Sequence, residues 1–159
     1  MAPCDVLFIG EAPGYDEDLC GLPFVGRSGA ILERMISDIK EEGVNFTYGI
    51  TNIVACIPKV VDEETGKRTV RPPTKEEADA CKFRLLTTIR TASPKLITLV
   101  GKTAKKYLRI PAREMPEEYK LPVMEIQHPA YILRKGGLKS LEYKRNTLYL
   151  REAIECLQS

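Results

Sequence analysis

Apolar and polar positions along this chain of 159 residues follow two distinct rhythms. Short, almost unbroken apolar runs occur at Val6–Ile9, Tyr48–Val54, Leu96–Val100 and Leu121–Ile126. Runs of this length are too short for typical helices and predict strands buried on both faces. Between them the period lengthens to that of a helix. Ile31, Leu32, Met35, Ile36 and Ile39 recur on one helical face, and Ser28 just upstream reads as the N-cap. Thr74-Lys75-Glu76-Glu77 is a capping box that opens a helix running to about Ala92, with Pro94 marking the break. Gly101-Lys102-Thr103 leads into a short helix ending near Leu108, and Leu138–Leu157 predicts a C-terminal helix. Residues 57–73 read as a long loop whose middle, Val61–Val70, predicts an exposed hairpin or flap. This alternation predicts an α/β fold, a three-layer α/β/α sandwich around a four-stranded parallel sheet, with residues 1–159 forming one domain.

Composition narrows the class without naming a function. Hydrophobic residues make up 43% and charged residues 29%, as in ordinary soluble proteins. No apolar run is long enough to span a membrane and no signal pattern opens the chain, so a cytoplasmic location is expected. A net charge of +2 permits a local nucleic-acid patch but does not demand one. Gly101-Lys102-Thr103 is not a P-loop, because the required first glycine would fall at Leu96 inside a strand. Gly10 and Gly14 do not make a dinucleotide fingerprint either. The five cysteines include no Cys-x-x-Cys pair, so neither a zinc signature nor a disulfide framework is expected.

Chemistry in open α/β sheets gathers at the carboxyl ends of strands. Two Pro-bearing loops sit there: Gly10-Glu11-Ala12-Pro13-Gly14, and His128-Pro129-Ala130-Tyr131-Ile132-Leu133-Arg134 with the only histidine. Between them lie Gly21-Leu22-Pro23-Phe24-Val25-Gly26 and Thr51-Asn52-Ile53-Val54-Ala55-Cys56. These four segments, in this order, resemble the uracil-DNA glycosylase superfamily, most closely its family 4 branch. The resemblance runs from about Val6 to Arg134.

The resemblance implies a role for each matched residue. His128 takes the place of the histidine that donates to uracil O2 as the base departs. Asn52 matches the asparagine that reads the uracil edge, its amide offering a donor to O4 and an acceptor to N3–H. Phe24 matches the aromatic on which the flipped base stacks. Gly10, Ala12 and Gly14 line the base; Ala12 stands where family 1 carries an aspartate, and Gly14 where family 1 carries a tyrosine that blocks the thymine methyl. Glu11 and Glu17 are the expected carboxylate contributors, with helix or loop capping as the competing role for Glu17. DNA contacts are expected from Ser28, Lys102 and Thr103 at helix N-termini and from Arg134, followed by a basic stripe of Lys135, Lys139, Lys144 and Arg145. Leu133 or Ile132 is the candidate wedge into the duplex gap.

Family 4 enzymes carry a four-cysteine iron–sulfur cluster. Cys56 and Cys81 match two ligand positions, whereas the other two belong to a Cys-x-x-Cys upstream of the first strand that has no counterpart after Met1. No cofactor is therefore expected, with a [4Fe-4S] cluster as the alternative. The expected activity is monofunctional removal of uracil from single- or double-stranded DNA in base excision repair, by a monomer. Two other readings stay open. One is a catalytically weak DNA-binding module associated with replication or a polymerase, and the other is a glycosylase for a modified pyrimidine, prompted by Gly14.

Overall fold

A computed structural model describes residues 2–108 and 120–159. Its centre is a parallel sheet of β1 (Val6–Gly10), β2 (Tyr48–Asn52), β5 (Leu96–Val100) and β6 (Val123–Ile126), ordered β2-β1-β5-β6. The two inner strands β1 and β5 are buried along their whole length, which is why their sequences are continuously apolar. The expected four-stranded parallel sheet is therefore observed. Strand β2 leaves the ladder at Asn52, short of the expected Val54, and β6 begins at Val123 rather than Leu121.

Side-chain alternation in the inner strands feeds two cores. Val6 and Phe8 of β1 pack with Ile31, Leu32, Met35, Ile36 and Ile39 of α2 (Gly26–Glu41) and with Leu150 and Ile154 of α6 (Leu141–Cys156). Leu7 and Ile9 point the other way, to Leu85, Ile89 and Ala92 of α3 (Lys75–Ala92) and Ala104 of α4 (Lys102–Tyr107). Helices thus cover both faces, giving the three layers expected. Among the described residues no helix is long and apolar enough to cross a membrane.

The local signals resolve unevenly. The Thr74 capping box forms as written: Glu77 N–H donates to Thr74 Oγ1, and Thr74 N–H donates to Glu77 Oε2 at 2.8 Å. Ser28 is not an N-cap. Helix α2 begins earlier, at Gly26 behind a Val25 cap, and places Ser28 inside its first turn. The C-terminal helix is split into a 3-10 turn at Gly137–Lys139 and α6, which Ser140 caps by accepting from Tyr143 N–H at 3.0 Å.

Two short helices fall where loops were expected. One is α1 (Tyr15–Cys20); the other is α5 (Pro129–Arg134), which starts immediately after His128 with proline at its first position. Ile132 of α5 is fully buried in the core beside α2, so it is not a wedge. The long loop carries the expected hairpin, made of antiparallel β3 (Lys59–Val61) and β4 (Arg68–Val70).

The chain runs from β1 outward to β2 and then returns to the other side of β1 as β5. That reversal opens a crevice at the carboxyl ends of the strands.

Candidate functional site

The site is built from residues that follow the strands. Gly10 ends β1 and pairs in register with Asn52, the last residue of β2. Ile53 N–H donates to Gly10 O at 2.9 Å and Val54 N–H to Glu11 O at 3.2 Å, so the backbone stays joined beyond the ladder. A β-carbon on Gly10 would collide with Asn52 Oδ1 and the Phe24 ring. Glycine is needed there because two side chains use the space above it.

Phe24 is held in a conformation that L-residues seldom adopt, with φ +55°. Gly29 in α2 makes room for this turn, since a β-carbon there would strike the Phe24 carbonyl. Gly101, with φ +89°, is packed against His128, and an added β-carbon would lie 3.1 Å from His128 Cβ. Asn146, buried on α6, holds the approach to the histidine. It accepts from Gln127 N–H at 2.8 Å and donates from Nδ2 to Gln127 Oε1 at 2.9 Å.

His128 caps α5 by accepting Ala130 N–H at Nδ1, 3.1 Å away. A neutral imidazole so engaged carries its proton on Nε2. Burial pushes the His128 pKa below its ordinary value, with Glu11 and Glu17 opposing that shift and Arg134 adding to it. The ring is therefore a neutral hydrogen-bond donor. Its centroid lies 6.3 Å from that of Phe24, with the planes inclined by 34°.

These groups surround one cavity of about 200 Å³. Glu11, Ala12, Gly14, Glu17, Phe24, Ser28, Asn52 and His128 all line it, and Gly10 lies beneath Asn52 and Phe24. Sequence reading missed three further lining residues: Pro13, Val70 and Arg71. Proline 13 stood in plain view within the first motif; the other two come from the end of the hairpin.

Glu17 has a structural duty as well. Its Oε2 accepts Gly14 N–H at 3.0 Å and caps α1, while the side chain still borders the cavity. Arg84 of α3 braces the Asn52 segment from behind. Its Nη1 donates to Thr51 Oγ1 at 3.1 Å, and its Nη2 donates to the carbonyls of Asn52 (2.5 Å) and Ile53 (3.1 Å). Those carbonyls lie past the end of the ladder, where a buried acceptor needs a replacement donor.

A wider cleft of about 740 Å³ adjoins the cavity and shares Gly14, Glu17 and Ser28 with it. Leu133 and Arg134 from α5 line it, as does Arg27 from α2, which sequence reading missed. Lys102 and Thr103 begin α4 as expected, but neither lines the cavity or the cleft. Lys135 stacks over Tyr131 with Nζ 5.5 Å from the ring centroid. Lys144 is set apart from the expected stripe, bordering a groove between α2 and α6 with Asp38, Glu41 and Glu42.

Among the described residues the cysteines are not gathered into a four-cysteine set. Cys4 is buried at the opposite end of the sheet, where its N–H donates to the carbonyl of Ala92, the last residue of α3, at 2.9 Å. Cys81 lies in the first half of α3, roughly 16 Å away along the helix axis at 1.5 Å per residue. Cys56 is exposed, and among the described residues no three His, Cys, Asp or Glu side chains gather as metal ligands would.

Comparison with known proteins gives a consistent picture. The family described as the uracil DNA glycosylase superfamily matches residues 2–150. The chain is 31% identical over 157 residues to a type-4 uracil-DNA glycosylase of Archaeoglobus fulgidus, covering 88% of this chain and 72% of that protein. It is 34% identical over 154 residues to the type-4 uracil-DNA glycosylase of Thermotoga maritima, covering 90% of this chain and 72% of that protein. The fold resembles a crystal structure of Pedobacter heparinus SMUG2 with a TM-score of 0.64 at 16% identity, covering 98% of this chain and 76% of that one.

Proposed function

We propose, from the premise that this chain belongs to the uracil DNA glycosylase superfamily, that it hydrolyses the N-glycosidic bond of uracil in DNA. The products are free uracil and an abasic site, the first step of base excision repair. One observation carries this reading: Phe24, Asn52 and His128, far apart in sequence, line a single cavity at the carboxyl ends of the strands. A binding module has no use for that set.

In this reading the base leaves the duplex and stacks on Phe24, whose unusual backbone aims the ring at the cavity. Asn52 reads the edge of uracil, held by Arg84 and fitted over Gly10. A cytosine would present a donor where uracil presents O4 and would leave the amide mispaired. His128 donates from Nε2 to O2 as negative charge grows on the base; being neutral, it gives a hydrogen bond without having to lose a full charge. Glu11 and Glu17 are the carboxylates that orient water and offset positive charge on the sugar. Ala12 and Gly14 complete the wall.

DNA enters along the adjoining cleft, where Ser28, Arg27 and Arg134 meet phosphates and Leu133 fills the space left by the flipped base. Lys102 and Thr103 contact the strand farther out. No cofactor takes part in this scheme, and residues 1–159 act as one unit.

The test is an incubation with uracil-containing single- and double-stranded oligonucleotides, with chelator present, followed by alkaline cleavage. Strand breaks at uracil are expected. Absence of abasic sites in every context, at stoichiometric protein, would sink the proposal in favour of a binding module.

A further inference from the structure

The β3–β4 hairpin stands outside the four-stranded sheet, yet its end reaches the base cavity through Val70 and Arg71. The hairpin is seated against α1 on that side. Tyr15 Oη donates to Arg68 O at 2.5 Å, and Lys59 Nζ pairs with Asp18 at 2.8 Å. Arg71 is then fixed by a two-point fork on Glu77: Nη1 donates to Oε2 at 2.8 Å and Nη2 to Oε1 at 2.7 Å. The same Glu77 carboxylate accepts Thr74 N–H, so the arginine is tied to the start of α3. Such a fork holds a guanidinium in one orientation better than a lysine could be held.

Charge around the cavity gives this placement a consequence. Its lining contains two carboxylates, Glu11 and Glu17, and Arg71 is the only lysine or arginine among the lining residues. Arg71 lines the cavity and Glu77 does not, so the ion pair spans from the cavity wall to the start of α3. In hydrolysis the C1′–N1 bond breaks and its electron pair stays on the base, while a water oxygen bonds to C1′. The water gives up a proton, and the released base anion takes one up, so that the sum is uracil and an abasic site. Two nearby carboxylates oppose the build-up of charge on the base, and a neutral histidine supplies only a dipole against it.

Resting on the uracil-excision reading above, we propose that Arg71 is a further catalytic residue, whose fixed guanidinium stabilises negative charge on the departing base. A residue in this role should matter most when the leaving group is poor. Uracil and 5-fluorouracil differ little in size, but fluorine withdraws electron density and makes the second base the better leaving group.

The experiment compares single-turnover excision of the two bases from otherwise identical single-stranded oligonucleotides, at saturating protein, by wild type, Arg71→Ala and Arg71→Lys. Arg71→Ala should slow uracil excision by about 10²-fold and 5-fluorouracil excision by about 10-fold or less, the scale of losing one preorganised charge donor. Arg71→Lys should show the same imbalance to a smaller degree, and it decides the matter if the alanine variant does not fold. Equal slowing of both bases would overturn the proposal, as would no slowing. Loss confined to DNA affinity and its salt dependence would instead make Arg71 a phosphate contact. A wild-type protein that excises neither base removes the excision reading itself; an active wild type with unchanged variants removes only the role of Arg71.

Discussion

The two ends of the central sheet are built on opposite terms. At the amino end, Asp5 collects Thr47 N–H at 2.8 Å, Thr47 Oγ1–H at 2.7 Å and the Lys95 ammonium at 2.8 Å. These partners lead into β2 and β5 while Asp5 leads into β1, so one carboxylate joins the starts of three strands. At the carboxyl end the chain accepts strain and crowding. Phe24 sits at positive φ, and Gly10, Gly29 and Gly101 give up side chains so that Asn52, Phe24 and His128 can converge. A single sheet thus gains stability at one edge and spends conformational freedom at the other. Strain of this kind persists only where the surroundings over-determine it.

The comparison can be broken most sharply at the carboxyl end. His128→Ala and Asn52→Ala should each lower single-turnover uracil excision by roughly 10²–10³-fold, the usual effect of losing one preorganised group. Neither side chain belongs to the two cores, so thermal unfolding should barely move for Asn52→Ala and should fall for His128→Ala only by the loss of the α5 cap, about 1 kcal/mol. Melting curves recorded beside the kinetics check both halves. A large fall in melting temperature without loss of rate would show that the two ends share one purpose.

The next effect belongs to the amino end. Asp5→Asn should destabilise the protein by roughly 1–2 kcal/mol, less than the ~1.5–3 kcal/mol of a fully sheltered charged hydrogen bond because solvent screens the exposed Lys95, and leave the excision rate unchanged. Urea unfolding measures the first and the oligonucleotide assay the second. The Lys95 and Thr47 contacts hold the Asp5 carboxyl down at about 2, well under the ordinary value near 3.9. An acid whose pKa is depressed by folding contributes stability that is fully present above its unfolded value. That contribution should fade as pH falls from about 4 toward 2.

The smallest effect is a pH response at the site. Burial depresses the His128 pKa, so the folded ring stays neutral below the ordinary histidine value of about 6.5. The unfolded chain then binds more protons, and this contribution to stability is lost as pH drops below that value. The step dependent on His128 should keep its rate just under pH 6.5 and decline only at lower pH. Because the chain has one histidine, a proton NMR titration reports this group without ambiguity. A midpoint at or above the ordinary value would contradict the neutral donor.

The sheet was legible because strong, local patterns encode it, and Phe24, Asn52 and His128 were singled out by the resemblance of their motifs to the superfamily. Val6–Ile9 and Leu96–Val100 are apolar throughout since both faces are covered, and Thr74 with Glu77 announces a helix start within four residues. Helix α1 was hidden because none of its residues is buried, leaving no apolar period to read. The start of α2 was misplaced because it follows from the Phe24 turn and its fit to Gly29, a tertiary relation. A signal for α5 did exist, namely proline directly after a capping histidine. Arg71 and Arg84 carry no local signal, one standing in a polar loop and one on an amphipathic helix. Only the fold brings the first to the cavity and the second to the Asn52 carbonyl.

The neck of the hairpin has a consequence for engineering. Arg71 N–H donates to Pro58 O at 3.1 Å, pinching the excursion shut where it leaves the body of the protein. Beyond that clasp and the paired strands, the Asp62–Gly66 turn can be lengthened at the slow logarithmic rate of loop closure, about 0.6 kcal/mol for each doubling. A fluorescent label or tethering peptide placed at Thr65–Gly66 would ride on a stalk whose root lines the cavity.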